Sequence, residues 1–132
     1  KEKNFGRIVN ITSAMVKNPH LIMGLSTSAR SGLHGLSKAL SREVAQYNIT
    51  INNVLPERID TERQTQILNF QAKLADSTYE EAKKELEETL TAKRMGTVEE
   101  FSGICTFLCS EQAAYISGQN ISVDGGNSTN LI

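Results

Sequence analysis

Residues 41–56, SREVAQYNITINNVLP, decide the fold. Up to Tyr47 the apolar positions follow a helical period: Leu33, Leu36, Leu40, Val44 and Tyr47 recur at steps of three and four. From Ile49 the pattern becomes an apolar, β-branched run that ends at Pro56, where the missing N–H stops a ladder. We therefore expect a helix over 25–47, with that leucine stripe facing the core, and a strand over 49–54. Ala29, Gly32, Gly35 and Ala39 form a second face of small residues that lets another backbone approach closely.

Upstream, GRIVNITS carries Ile8, Val9, Ile11 and Thr12 and predicts a strand over 7–13. Residues 14–24 contain Asn18-Pro19-His20 and Gly24 and read as a loop. Strand, helix and strand in this order make a βαβ unit with parallel strands and a right-handed crossover.

Downstream, residues 60–93 are rich in Glu, Lys, Gln and Thr, with Ile67, Leu68, Phe70, Leu74, Tyr79, Ala82, Leu86 and Leu90 as apolar anchors. Two mostly solvated helices are expected, at 61–75 and 78–91, the second opened by a capping box from Ser77 to Glu80. TVEE at 97–100 is another capping box and opens a helix to Leu108, with Phe101, Ile104, Cys105 and Leu108 as its core stripe. NISVDGG at 120–126 predicts a third strand closed by a glycine pair. The expected fold is α/β with a short, open parallel sheet whose edges need cover.

Composition narrows the function. The chain has 132 residues, 39% hydrophobic and 22% charged, with a net charge of −1. That is an ordinary globular composition, with no basic field to attract nucleic acid or anionic lipid. No apolar run approaches the roughly 18 residues that span a bilayer, and no signal pattern opens the chain. A cytoplasmic protein with no nucleic-acid or membrane partner is expected. Cys105 and Cys109 lie four apart without further Cys or clustered His, which reads as buried reduced thiols and no metal site. The chain opens on Lys1, close to a core strand, as part of a longer or trimmed protein would.

Three stretches together resemble the C-terminal portion of a short-chain dehydrogenase/reductase, closest to the 3-oxoacyl-carrier-protein reductase-like branch. These are GRIVNITS, SREVAQYNITINNVLP, and RMGTVEEFSGICTFLCSEQAAYISGQNISVDGG at 94–126. The resemblance runs from Gly6 to Gly126 and implies the C-terminal half of a Rossmann-like doubly wound sheet. Residues 1–132 would then form a partial domain, with 60–93 as a lid-like helical segment. It further implies hydride transfer between NAD or NADP and a small-molecule carbonyl or alcohol, with the ligand at the carboxyl ends of the strands. Homo-oligomers are expected.

The resemblance implies catalytic roles for Ser13, Ser26 and Arg30, and cofactor contacts for Arg30, Pro56, Ile59 and Thr61. Ser13 matches the family's serine. Ser26 stands where the family has tyrosine, and Arg30 where it has lysine. Arg30 keeps a fixed charge and five donors for a ribose. Ser26 is the harder loss, because an aliphatic hydroxyl is a far weaker acid than a phenol of pKa about 10. Glu57 follows Pro56 where the family usually has glycine.

The family's glycine-rich phosphate loop does not occur in these residues, so this chain alone is expected to bind no cofactor and to be inactive. For the intact parent several readings stay open. One is an oxidoreductase with a changed proton route, for which His20 is a candidate acid beside its plainer reading as an exposed loop residue. Others are an impaired dinucleotide- or ligand-binding protein, and an interaction module built on the 60–93 helices.

Overall fold

The computed structural model describes residues 1–131. Three strands, β1 (Gly6–Ile11), β2 (Ile49–Pro56) and β3 (Asn120–Val123), form one sheet in the order β1-β2-β3, with both pairings parallel. Helix α1 (Gly24–Val44) crosses from β1 to β2. Helices α2 (Glu62–Leu74), α3 (Tyr79–Thr89) and α4 (Val98–Cys109) lie between β2 and β3. The α/β reading with a short parallel sheet is therefore correct.

Element boundaries move by small, explicable amounts. β1 ends at Ile11 rather than residue 13, although Thr12 N still donates to Val54 O at 2.9 Å. β2 runs two residues past the expected 54, because Pro56 sits at the strand end opposite Val123, where a missing N–H costs little. β3 stops at Val123, three residues short of the expected end. The α-helical part of α1 ends at Val44. A 3-10 turn carries the chain to Tyr47, and Asn48, at φ 52, makes the left-handed exit that a short amide side chain tolerates. The expected loop at 14–24 holds two further 3-10 turns, Ala14–Val16 and Leu21–Met23.

Alternation along the strands gives the sheet two unlike faces. Val9, Val54, Ile121 and Val123 point to α4 and pack with Phe101, Ile104, Cys105 and Leu108, the stripe expected for that helix. The opposite face mixes the buried Ile51 and Leu55 with a row of polar groups. Asn10, Asn53 and Asn120 lie in register across all three strands. Asn10 Nδ2 donates to Asn53 Oδ1 at 3.0 Å, and Asn53 Nδ2 to Asn120 Oδ1 at 2.7 Å. Asn10 Nδ2 also donates to Ser37 Oγ on α1 at 3.0 Å, and Thr12 Oγ1 pairs with His34 Nε2 at 2.8 Å.

This polar row goes with an orientation of α1 opposite to the one expected. Its buried residues are Thr27, His34, Ser37 and Ser41, whereas Leu33, Leu36 and Leu40 are exposed. The sheet presents amides and a hydroxyl, which need hydrogen-bonding partners when buried, so the helix turns its Ser/His/Thr stripe inward.

Helices α2 and α3 share a separate small core of Leu68, Leu90 and Met95, with Tyr79, Ala82 and Leu86 against it. Phe70 and Leu74, expected as anchors, are exposed. The cap of α3 is Thr78 with Glu81, one residue beyond the expected Ser77 and Glu80. Thr78 Oγ1 accepts from Glu81 N at 3.2 Å, while Glu81 Oε2 accepts from Thr78 N at 2.9 Å. The Thr97–Glu100 box on α4 is as expected. Glu100 is also gripped by Arg94 at 2.7 and 2.8 Å, which pulls its carboxyl down to about 2, with the Thr97 N–H contributing further. Cys109 is exposed and Cys105 only half-buried, correcting the reading of two buried thiols. Burial pushes the Cys105 thiol up, and Cys109 adds to it.

Candidate active site

The carboxyl ends of parallel strands place Ser13, Pro56 and Asp124 on one rim. Ser13, just past β1, takes an extended backbone and caps the following 3-10 turn, its Oγ accepting from Met15 N at 3.2 Å. Thr61 caps α2 in the same way, its Oγ1 accepting from Gln64 N at 3.4 Å. Both hydroxyls thus hold local structure at the places where strands hand over to helices.

Two cavities meet at this rim. One, of about 510 Å³, has Ser13, His20, Pro56, Glu57, Arg58 and Gln64 in its wall. The other, of about 330 Å³, brings Pro56, Ile59 and Thr61 together with Ile11, Arg58 and Phe101. Pro56 and Arg58 belong to both walls. Ser13 is half-buried, while His20 and Arg58 are exposed.

The loop after β2 is pinned rather than loose. Arg58 sits at φ 53, a left-handed conformation uncommon for a residue with a side chain. Its carbonyl accepts from Gly96 N at 3.0 Å, and Gly96 O accepts from Asp60 N at 2.8 Å. Ile59 bridges to Gly96, where an added Cβ would meet Ile59 Cδ1 at 2.9 Å. Glycine at 96 therefore permits the close approach that holds Ile59 in place.

Ser26 and Arg30 are brought to each other. Arg30 Nη1 donates to Ser26 Oγ and to Ser26 O, the latter at 3.2 Å. Neither residue is part of the wall of the two cavities that Ser13, Pro56, Ile59 and Thr61 share. The structure thus groups the site residues into a strand-end set and a helix pair. Glu57 has a definite role. Its Oε1 accepts from Asn127 Nδ2 at 2.8 Å, and Asn127 Oδ1 in turn accepts from Thr91 N at 3.3 Å. This contact joins the loop after β2, the end of the 60–93 segment and the chain after β3. Sequence reading gave no sign of Asn127, whose partner is 70 positions away.

Arg58 and Gln64 were also missed. Gln64 is 8% exposed, and its Nε2 has no hydrogen-bond partner. A polar residue at a buried position of a mostly solvated helix is visible only once the helix has been docked. Among the described residues, no cluster of three or more His, Cys, Asp or Glu could hold a metal ion, and no helix is long and apolar enough to cross a membrane.

A parallel sheet with helices on both faces and cavities at the carboxyl ends of its strands is the arrangement of doubly wound α/β folds, which bind ligands at that rim. The chain belongs to the short-chain dehydrogenase/reductase family. A family model described as enoyl-(acyl carrier protein) reductase matches residues 1–128. The NADPH-dependent reductase BacG of Bacillus subtilis is 35% identical over 127 residues, 96% of this chain and 49% of that protein. The 3-oxoacyl-[acyl-carrier-protein] reductase FabG of Aquifex aeolicus is 34% identical over 125 residues, 95% of this chain and 46% of that protein. Among solved structures, YwfH, an NADPH-dependent reductase involved in bacilysin biosynthesis, superposes with a TM-score of 0.90 at 34% identity, covering 98% of this chain and 50% of that one. The chain spans about half the length of the curated relatives it matches.

Proposed function

We infer that the protein carrying this chain is an NAD(P)-dependent oxidoreductase acting on a small carbonyl or alcohol, similar to 3-oxoacyl reductases. The observation that carries this reading is the pair of cavities joined at Pro56, one with the Ser13 hydroxyl in its wall and the other with Ile59 and Thr61.

The second cavity suits a nicotinamide. Ile11, Ile59 and Phe101 offer apolar surface to a flat ring, and Glu57, the bulky residue in the glycine position, has a carboxylate oxygen engaged by Asn127. Pro56, Ile59 and Thr61 would hold that end of the cofactor, and the bound nicotinamide supplies or accepts the hydride. Ser13 donates a hydrogen bond to the substrate oxygen and fixes its position. Residues 60–93 cover the substrate side as a lid. The isolated chain, without a glycine-rich phosphate loop among its residues, is read as inactive.

The contact between Ser26 and Arg30 favours a second reading, a protein that binds dinucleotide and ligand without turnover. A hydroxyl paired with its own guanidinium, outside the cavity wall, is poorly placed to give a proton to a substrate oxygen.

One experiment separates the two readings. NADH and NADPH are titrated by fluorescence into the protein carrying this chain, and a panel of small β-keto esters is then assayed in wild type and in the Ser26→Tyr, Arg30→Lys double variant. Cofactor binding with slow reduction that accelerates in the double variant supports the oxidoreductase reading with a decayed proton donor. Binding with no reduction in either form supports the binder. Failure to bind either dinucleotide refutes both. The exposed Leu33, Leu36 and Leu40 stripe of α1 supports homo-oligomerisation, since it is apolar and uncovered within the chain.

A further inference from the structure

The cavity of about 510 Å³ carries an unbalanced set of donors. Arg58 has no ion-pair partner among the described residues. Glu57, Glu100 and Asp124, which line a further cavity together with Arg58, and Asp60 two residues on, are all engaged with other partners; Glu62 forms no ion pair with it either. Glu57 accepts from Asn127 Nδ2 at 2.8 Å, and Asp60 pairs with Lys83 at 3.5 Å. Glu100 is held bidentately by Arg94, and Asp124 accepts from the backbone N–H groups of Gly126 and Ser128 at 3.0 and 3.1 Å.

A second donor in the same wall is also without a partner. Thr27 Oγ1, Thr50 Oγ1 and Gln64 Nε2 are buried without hydrogen bonds, and of these Gln64 belongs to this cavity. A buried amide left unpaired is costly, and a ligand oxygen that accepts from it removes the cost. The loop holding Arg58 is fixed by the Arg58 O to Gly96 N hydrogen bond and the Ile59–Gly96 bridge, so the guanidinium stem starts from a rigid point.

We propose that Arg58 and Gln64 form an anion subsite that selects a carboxylate-bearing carbonyl substrate. This rests on the oxidoreductase reading above and names its substrate class. A guanidinium presents paired N–H donors in the geometry that a carboxylate accepts, and the Gln64 amide adds a neutral donor from the lid side. Gln64 shares its cavity with Ser13 and is absent from the wall that holds Ile59 and Thr61, which favours the substrate over a cofactor phosphate; Arg58 borders both cavities, and the NADPH arm of the test below separates the two sources.

The test uses the protein carrying this chain, with 5-oxohexanoate and its methyl ester as a matched substrate pair. Wild type is expected to favour the keto acid by about tenfold or more in kcat/KM, as a charge-assisted contact confers, and Arg58→Gln brings the ratio close to one. Equal use of acid and ester by wild type, or a ratio unchanged in Arg58→Gln, overturns the proposal. If neither compound is reduced, calorimetry with hexanoate and hexanamide decides the subsite, while the oxidoreductase reading is decided separately by the dinucleotide titration and the β-keto ester panel. Hexanoate binding at least about tenfold tighter than hexanamide in wild type but not in Arg58→Gln supports it; equal affinities overturn it. NADPH titration is the remaining arm. A loss of NADPH affinity in Arg58→Gln that matches the loss for hexanoate assigns the anion to the cofactor and overturns the proposal. Gln64→Leu is expected to weaken hexanoate several-fold, and an unchanged affinity removes Gln64 from the subsite.

Discussion

Truncating Asn53 to alanine tests whether the amide ladder across the sheet holds the fold together. Asn53 is 2% exposed, accepts from Asn10 Nδ2 at 3.0 Å and donates to Asn120 Oδ1 at 2.7 Å. Each such bond contributes about 1 kcal/mol net, and the penalty for an orphaned partner is added only if the partner stays dry. Here it does not apply in full. Asn10 keeps Ser37 Oγ as an acceptor, and Asn120 is exposed, so its freed oxygen returns to water. The backbone bond from Asn53 N to Gln119 O at 2.8 Å is unaffected.

The expected cost is therefore about 2 kcal/mol from the two bonds, rising to about 3 with the void left by the amide. Urea unfolding reads it as a lower midpoint with unchanged slope. Asn69→Ala, which removes an exposed bond to Thr65 O, serves as control and should stay within about 0.5 kcal/mol. A double-mutant cycle with Asn10→Ala should give a coupling of about 1 kcal/mol. An Asn53→Ala cost no larger than the control, or a coupling near zero, refutes the ladder as a structural element.

Three further outcomes follow from the same contacts. His34 is held neutral, since burial against Thr12 lowers its pKa and Lys17 lowers it further. The unfolded chain thus takes up the proton first, so stability should fall as pH drops below about 6.5 and level off beneath the folded pKa; thermal melts of wild type and His34→Gln should show this slope only in wild type. Thr78→Ala should cost about 1 kcal/mol in denaturant unfolding and Ser77→Ala close to nothing, and the reverse order would restore the cap first expected at Ser77. Leu36→Glu places a charge in the exposed α1 stripe and should shift the protein to a smaller species by light scattering; a wild type that is already monomeric rules out the oligomer.

The order of elements was legible from local pattern. The change from helical period to a β-branched run at Ile49, the Thr97–Glu100 box and the segment at 94–126 were enough to read a parallel α/β fold and its family. Ser13, Pro56, Ile59 and Thr61 could be nominated because they match positions of the family that the chain resembles, at or just after strand ends. What local pattern misjudged was which side of α1 is buried. A leucine stripe marks an amphipathic helix but carries no information about the surface it will meet. That surface is built by Asn10, Asn53 and Asn120, which come into register only when three strands far apart in the chain pair. Ser37 meets the Asn10 amide and His34 the Thr12 hydroxyl, hydrogen bonds that leucine cannot offer, so the polar stripe is buried and the apolar one left outside. The same holds at the rim. Arg58 and Gln64 became a candidate subsite only once folding had tied Glu57 to Asn127 and Asp60 to Lys83 and buried the Gln64 amide, a matter of distances between remote residues that no short stretch of sequence encodes.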